Sequence, residues 1–228
     1  MKDLLLAVDC SLRWTGAAVG RRGVAGPEIL AAECLDLGRR QAAELPLMVD
    51  RVLEKSGHEL EDVGLVAVTN GPGYFTGIRV GVSWAAALAY ALKVRVVPVS
   101  SLFMLAYPSL QAGRASSEQS PSVLAVVYAG RDRVYAASFG GGDDLRTGEY
   151  GQEALKLWLN DHKDVTVTSD DPDRVRAVIG CEATGLPVLK TLPDPAVAAR
   201  IALQTTELPL SPMELRVSYH RAPQGVSP

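Results

Sequence analysis

The residues best suited to chemistry in this sequence fall in two places: Asp9 in Ala7-Val8-Asp9-Cys10-Ser11, and the run Asn70-Gly71-Pro72-Gly73-Tyr74-Phe75-Thr76-Gly77-Ile78-Arg79-Val80-Gly81. Gly71-Pro72-Gly73 imposes a sharp turn, because glycine reaches backbone angles closed to other residues and proline fixes its own. A glycine loop that feeds a helix has two readings, a tight strand-to-helix turn without a ligand or an anion cradle built from free N–H groups. No Lys follows in the manner of a P-loop. Thr76 is placed to cap a helix beginning at Gly77. Arg79 then falls in the first turn, where its charge opposes the helix dipole by about 0.3–1 kcal/mol and calls for a compensating carboxylate. Asp9 is the candidate partner, and a solvated Arg79 is the other reading.

Other chemistries find little support. Cys10, Cys34 and Cys181 are odd in number and show no C-x-x-C spacing, which fits a reducing cytoplasm, and His58, His162 and His220 form no H-x-x-x-H pair. No metal site, cofactor site or catalytic constellation is therefore expected. The balance of 23 Lys+Arg against 26 Asp+Glu gives a net charge of −3, so the chain lacks the basic footprint of a protein that grips nucleic acid alone. The longest apolar run, Trp84–Leu92, is well short of the roughly 20 residues that span a bilayer, and no export signal is read at the start. A cytoplasmic protein without a membrane partner is expected.

Stepping along the chain, Leu4–Val8, Trp14–Val19 and Glu28–Leu35 read as a three-stranded meander. Ala42, Leu45, Val49, Val52 and Leu53 recur at helical spacing from Arg39 to Lys55, with Pro46 as a kink or a late start and Ser56-Gly57 as the stop. Val63–Val68 is a buried strand, Thr76–Leu92 a helix and Val94–Pro98 another strand, which implies a parallel crossover beside the meander. Ser100–Ala106 reads as helical and 107–121 as a loop between lobes. Leu124-Ala125-Val126 then repeats Leu6-Ala7-Val8, and Ala136-Ala137 repeats Ala17-Ala18, a short signal of internal duplication. Gln152–Leu159 and Pro195–Thr206 follow as helices, with Val165–Thr168 a strand between them. Residues 1–106 should form an N-terminal lobe, 107–221 a C-terminal lobe and 222–228 a loose tail.

Gly77, Gly81, Ala85 and Ala89 recur every four residues and leave one side of their helix nearly bare. Such a stripe admits a neighbour at close range, within the lobe or from another subunit.

The combination of Ala7-Val8-Asp9-Cys10-Ser11, Gly71 to Gly81 and Val99-Ser100-Ser101-Leu102 resembles the TsaB (YeaZ) family over nearly the whole chain. The resemblance implies a two-lobed α/β fold of the actin-like, sugar-kinase and Hsp70 ATPase superfamily, with duplicated RNase H-like sheets. It also implies a non-catalytic subunit of the complex that forms threonylcarbamoyladenosine in tRNA. The transfer itself would belong to a TsaD-like subunit, a TsaE-like P-loop ATPase would be recruited by the pair, and tRNA would be met through the complex. Asp9, Gly71, Gly73, Thr76 and Arg79 would then be structural. Gly77, Gly81, Ala85 and Ala89 on one helix and Leu45, Val49 and Val52 on the other would form the surface that meets TsaD or, without it, a second copy. The competing view is that these residues pack only against their own sheet.

Several positions depart from the family pattern. Cys10 stands for a common Thr, Gln41 for a His, Tyr128-Ala129-Gly130-Arg131 for Asp-Ala-Arg, and Pro212-Met213-Glu214-Leu215-Arg216 for Pro-x-Tyr-x-Arg. Tyr128 thus stands where a second metal-facing Asp is expected, and Gly180-Cys181 is at best half of an adenosine turn. The alternative function is an ATP-dependent phosphotransferase or ATPase of the same superfamily, with Asp9 and the Gly71–Gly81 loop as its site.

Overall fold

The computed structural model describes residues 2–38, 40–116, 121–141, 145–179 and 186–220. Contacts divide the chain into two compact units, one of residues 1–104 with 193–217 and one of residues 105–192 with 218–228. The first sheet is built on β1 (Leu4–Asp9), which is buried along its whole length and therefore reads as an unbroken apolar run. β2 (Trp14–Gly23) and β3 (Gly26–Asp36) extend it as an antiparallel meander on one side. β4 (Val63–Gly71) and β5 (Arg95–Ser100) join in parallel on the other, giving the order β3-β2-β1-β4-β5.

Helix α1 (Gln41–Ser56) buries Leu45, Met48, Val49, Val52 and Leu53 and stops at Gly57, whose φ of 71° suits glycine. It continues through Pro46, whose absent N–H falls opposite Ala42. Helix α2 (Phe75–Leu92) packs on the same side of the sheet, in one cluster with α1 and with Leu4, Leu6 and Val8. α2 is long and apolar enough to cross a membrane by length and composition, and a third of it is buried on this sheet. The opposite side of the sheet, with Leu5, Ala7, Ala18, Ala67, Val97 and Val99, is covered by α6 (Pro195–Gln204) through Ala198, Ala199, Ala202 and Leu203. Asp194 caps α6 by accepting the Ala196 N–H at 2.8 Å. The segment 193–217, expected in the C-terminal lobe, thus belongs to the first unit because α6 seals its sheet.

The second sheet repeats the plan. β6 (Val123–Gly130), β7 (Arg133–Phe139) and β8 (Gly148–Gly151) form the meander, and β9 (Thr166–Ser169) and β10 (Val188–Lys190) are the parallel strands. α4 (Gln152–Asp161) and α5 (Pro172–Ile179) cover one side through Leu155, Leu159, Val175 and Ile179. The short repeat marks a true structural duplication, since Ala7 faces Ala18 and Val8 faces Ala17 while Ala125 faces Ala137 and Val126 faces Ala136.

One expected loop is a helix. α3 (Ser101–Ser116) runs through Pro108 because Leu105, Ala106 and Leu110 share a buried face, so 107–116 is not a linker. The expected tail 222–228, the Gly180-Cys181 turn and the proposed helix start at Arg39 lie outside the described residues.

Candidate functional site

Asp9 closes β1, and its carboxylate is 1% exposed. Three donors converge on Oδ1: the Thr69 hydroxyl from the end of β4, the Ser11 hydroxyl at 2.7 Å and the Ser11 N–H at 2.8 Å. Burial pushes the Asp9 carboxyl above its ordinary range, and these hydrogen bonds pull against that rise. Asp9 therefore ties the β1–β2 turn to the neighbouring strand. Arg79 takes no part in this: it lies exposed on α2, with its guanidinium carbon 4.3 Å from the Phe75 ring centroid. The expected Asp9–Arg79 pairing is thereby corrected, because the buried carboxylate is held by hydroxyls and one amide.

The glycine run explains itself at the same turn. A Cβ on Gly73 would sit 2.2 Å from the Ser11 carbonyl oxygen, and one on Gly77 would sit 2.1 Å from that of Cys10. Nothing larger than hydrogen fits. The Tyr74 N–H donates to the Ser11 oxygen at 2.7 Å, and Gln41 Nε2 donates to the Leu12 oxygen at 3.0 Å and the Cys10 oxygen at 3.4 Å. All three turn carbonyls are thus engaged. Gly71, at φ 113°, begins the loop in a conformation that favours glycine. α2 starts at Phe75, with Tyr74 as its first flanking residue and no side-chain cap, so Thr76 is an exposed first-turn residue and not the cap.

The stripe of small residues faces inward. Gly81 meets Cys10, Ala85 and Ala89 are fully buried, and Leu45, Val49 and Val52 of α1 are at most 2% exposed. Gly77, Gly81, Ala85, Ala89, Leu45, Val49 and Val52 therefore pack against their own sheet, and a partner surface on those side chains is corrected by their burial. The outward residues are others: Leu47 at 53%, Phe75 at 56% and Tyr90 at 69% exposed. The signal for them was present in the sequence, because a helix apolar on all sides has an outer face to cover. Thr69 and Ser11 gave no such sign.

Burial and the charge of Asp9 push the Cys10 thiol up, and burial with Asp9 and Asp194 takes Cys34 to about 12. Neither is a nucleophile at neutral pH. In the second unit the register sets Val127, not Tyr128, at the place of Asp9, and Asp170 at the place of Thr69. Tyr128 instead packs on the α4–α5 side, beneath the Arg174 guanidinium at 5.6 Å. Among the described residues no three His, Cys, Asp or Glu side chains form a metal-binding group.

Two β-β-β-α-β-α-β sheets, with a polar latch at the end of the first strand in one of them, define a two-lobed actin-like fold with duplicated RNase H-like sheets. A family model described as TsaD, tRNA N6-adenosine threonylcarbamoyltransferase, matches residues 36–154, just over half of the chain. The tRNA threonylcarbamoyladenosine biosynthesis protein TsaB of Buchnera aphidicola from Schizaphis graminum is 28% identical over 69% of this chain and 70% of its own length. That of Haemophilus influenzae is 35% identical over 58% of this chain, which spans about half (51%) of that protein. The Pseudomonas aeruginosa protein described as similar to the peptidase YeaZ superposes with a TM-score of 0.73 over 96% of this chain and all (100%) of that one, at 22% identity. The chain belongs to the TsaB (YeaZ) family.

Proposed function

We propose that this chain is a non-catalytic subunit of the complex that forms threonylcarbamoyladenosine in tRNA, pairing with a TsaD-like transferase through the outward face of α1 and α2. The observation that carries the reading is α2 itself: 18 residues without a carboxylate, with one cation and with Phe75 and Tyr90 turned outward. Such a face is costly to leave in water and is the usual mark of a partner surface. The Asp9 latch supports the absence of catalysis here, since its three donors and its burial make it a structural tie. The pair would in turn recruit a TsaE-like P-loop ATPase, with tRNA held by the assembled complex.

Copurification with a TsaD-like transferase tests this. Tyr90→Glu should lose the transferase while keeping the wild-type circular dichroism spectrum. Undiminished capture by the folded variant would show that α2 is not the partner surface.

A further inference from the structure

Helix α1 opens without a capping side chain, and its first turn is tied down by the buried side chain of Gln41, the first residue of the helix. Gln41 Nε2 donates to the Leu12 oxygen at 3.0 Å and to the Cys10 oxygen at 3.4 Å. Its Oε1 lies 2.7 Å from the point where a Cβ on Gly77 would stand, so the amide occupies the room that Gly77 leaves by having no side chain. Gly77 is the third residue of α2. One side chain thus joins the first turn of α1, the turn between β1 and β2, and the first turn of α2. α2 is fastened to that same turn on its own account, through the Tyr74 N–H on the Ser11 oxygen at 2.7 Å.

The other end of α1 is drawn elsewhere. Arg51 and Lys55 reach Glu33 of β3, the edge strand of the sheet, at 2.5 and 2.8 Å. Where α1 begins, its separation from α2 is therefore left to Gln41. Ala42 and Ala43 directly follow Gln41, Phe75 and Thr76 directly precede Gly77, and all four are exposed. The tie accordingly lies where the outward faces of the two helices start. A glutamine suits the place, because a neutral amide is cheaper to bury than a charge, and an apolar side chain would take the donor away from both turn carbonyls. We infer that Gln41 is the positioning residue of the α1–α2 partner surface, setting from beneath the spacing at which the two helices are presented. The inference rests on the reading of that face as the surface for a TsaD-like transferase. A surface that docks as one unit loses affinity when its supporting side chains let it shift by about 1 Å.

Substitution at this one buried position tests it. Gln41→Met keeps the length of the side chain and removes the donor. Calorimetric titration of the full chain with the TsaD-like transferase should show a dissociation constant raised about tenfold or more, with the circular dichroism spectrum unchanged. Gln41→His returns an N–H donor and should bind within about threefold of wild type. Val97→Ala, under α6 on the opposite side of the sheet, separates position from stability: it should lower the melting temperature at least as far as Gln41→Met and leave the dissociation constant unchanged. In the chain alone, amide hydrogen exchange in Gln41→Met should quicken about tenfold at Glu44 of α1 and Ile78 of α2 together. Wild-type affinity in Gln41→Met, no recovery in Gln41→His, a loss in Val97→Ala equal to that in Gln41→Met, or exchange that quickens in one helix alone would overturn the positioning role. Loss of the transferase in Tyr90→Glu beside full binding by Gln41→Met would overturn that role and leave the partner surface standing, whereas a wild type that does not bind the transferase would overturn both.

Discussion

The two units begin with one hairpin and part company at its end. Leu6-Ala7-Val8 against Val19-Ala18-Ala17 in the first unit has its counterpart in Leu124-Ala125-Val126 against Ser138-Ala137-Ala136 in the second. Beyond the hairpin, the first unit adds Asp9, Ser11 and Thr69, an 18-residue α2 and a six-residue β5, where the second has Val127 and Asp170, an eight-residue α5 and a three-residue β10. The shared part is apolar and needs only alternation and small residues to pair. The part peculiar to the first unit is a polar knot with glycines pressed on it, which a fold of this kind does without in its other half.

The largest effect should come from copying the knot incompletely. Val127→Asp would bury a carboxylate beside Asp170 with neither a Ser11 nor a Thr69 to donate to it, at a cost of about 4 kcal/mol or more in urea unfolding. A cost under about 1 kcal/mol would mean that the second unit can host the same chemistry. Next comes Gly77→Ala, whose methyl group would meet the Cys10 carbonyl oxygen and Gln41 Oε1. About 3 kcal/mol should be lost, while Arg174→Ala at the matching third position of α5 should cost less than about 1 kcal/mol. Equal losses in the two would erase the distinction.

Asp9 sharpens the contrast further. Asp9→Ala strands three donors and should cost about 1–3 kcal/mol, whereas Asp9→Asn keeps an acceptor at Oδ1 and should cost nothing at neutral pH. The sign of its pH dependence follows from the raised carboxyl. The folded chain binds the proton more tightly than the unfolded one, so the contribution of Asp9 is complete below the ordinary carboxylate range and is lost as pH rises through the elevated value. The melting temperature of Asp9→Asn should therefore gain on wild type with rising pH, and a gap that narrows would reverse the assignment. The smallest signal is a null one. Calorimetry with ATP and magnesium should detect no binding tighter than about 10 μM, or about −7 kcal/mol.

What could be read from the sequence follows the same division. Leu4–Val8, Val63–Val68 and the recurring Leu-Ala-Val announced buried strands, because a strand covered on both sides is apolar at every position. The four-residue spacing of Gly77, Gly81, Ala85 and Ala89 was equally plain, but its meaning was not. In a helix with apolar residues all round, no polar face marks the side that water sees, so the inner stripe and the outer one look alike. Only the approach of Cys10 to Gly77 and Gly81 decides it, and that contact joins distant stretches of chain. Asp9 stood out as the end of an apolar run. Its true partners, two hydroxyls, are residues that occur in any turn or strand. β8, α5 and β10 were missed because each is too short to show a period.

The place of α6 bears on how the protein is made. All five strands of sheet one exist once Ser100 has left the ribosome, although Val96 still awaits its backbone partner Leu210, and the side bearing Leu5, Ala7, Ala18, Ala67, Val97 and Val99 lacks the cover of α6 until residues 195–204 emerge. For the time taken to synthesise the entire second sheet, the nascent chain displays an oily plate open to chaperones and to other nascent chains. A stop codon anywhere before Pro195 would make that exposure permanent, so truncated products should be cleared as insoluble material rather than survive as half-functional fragments.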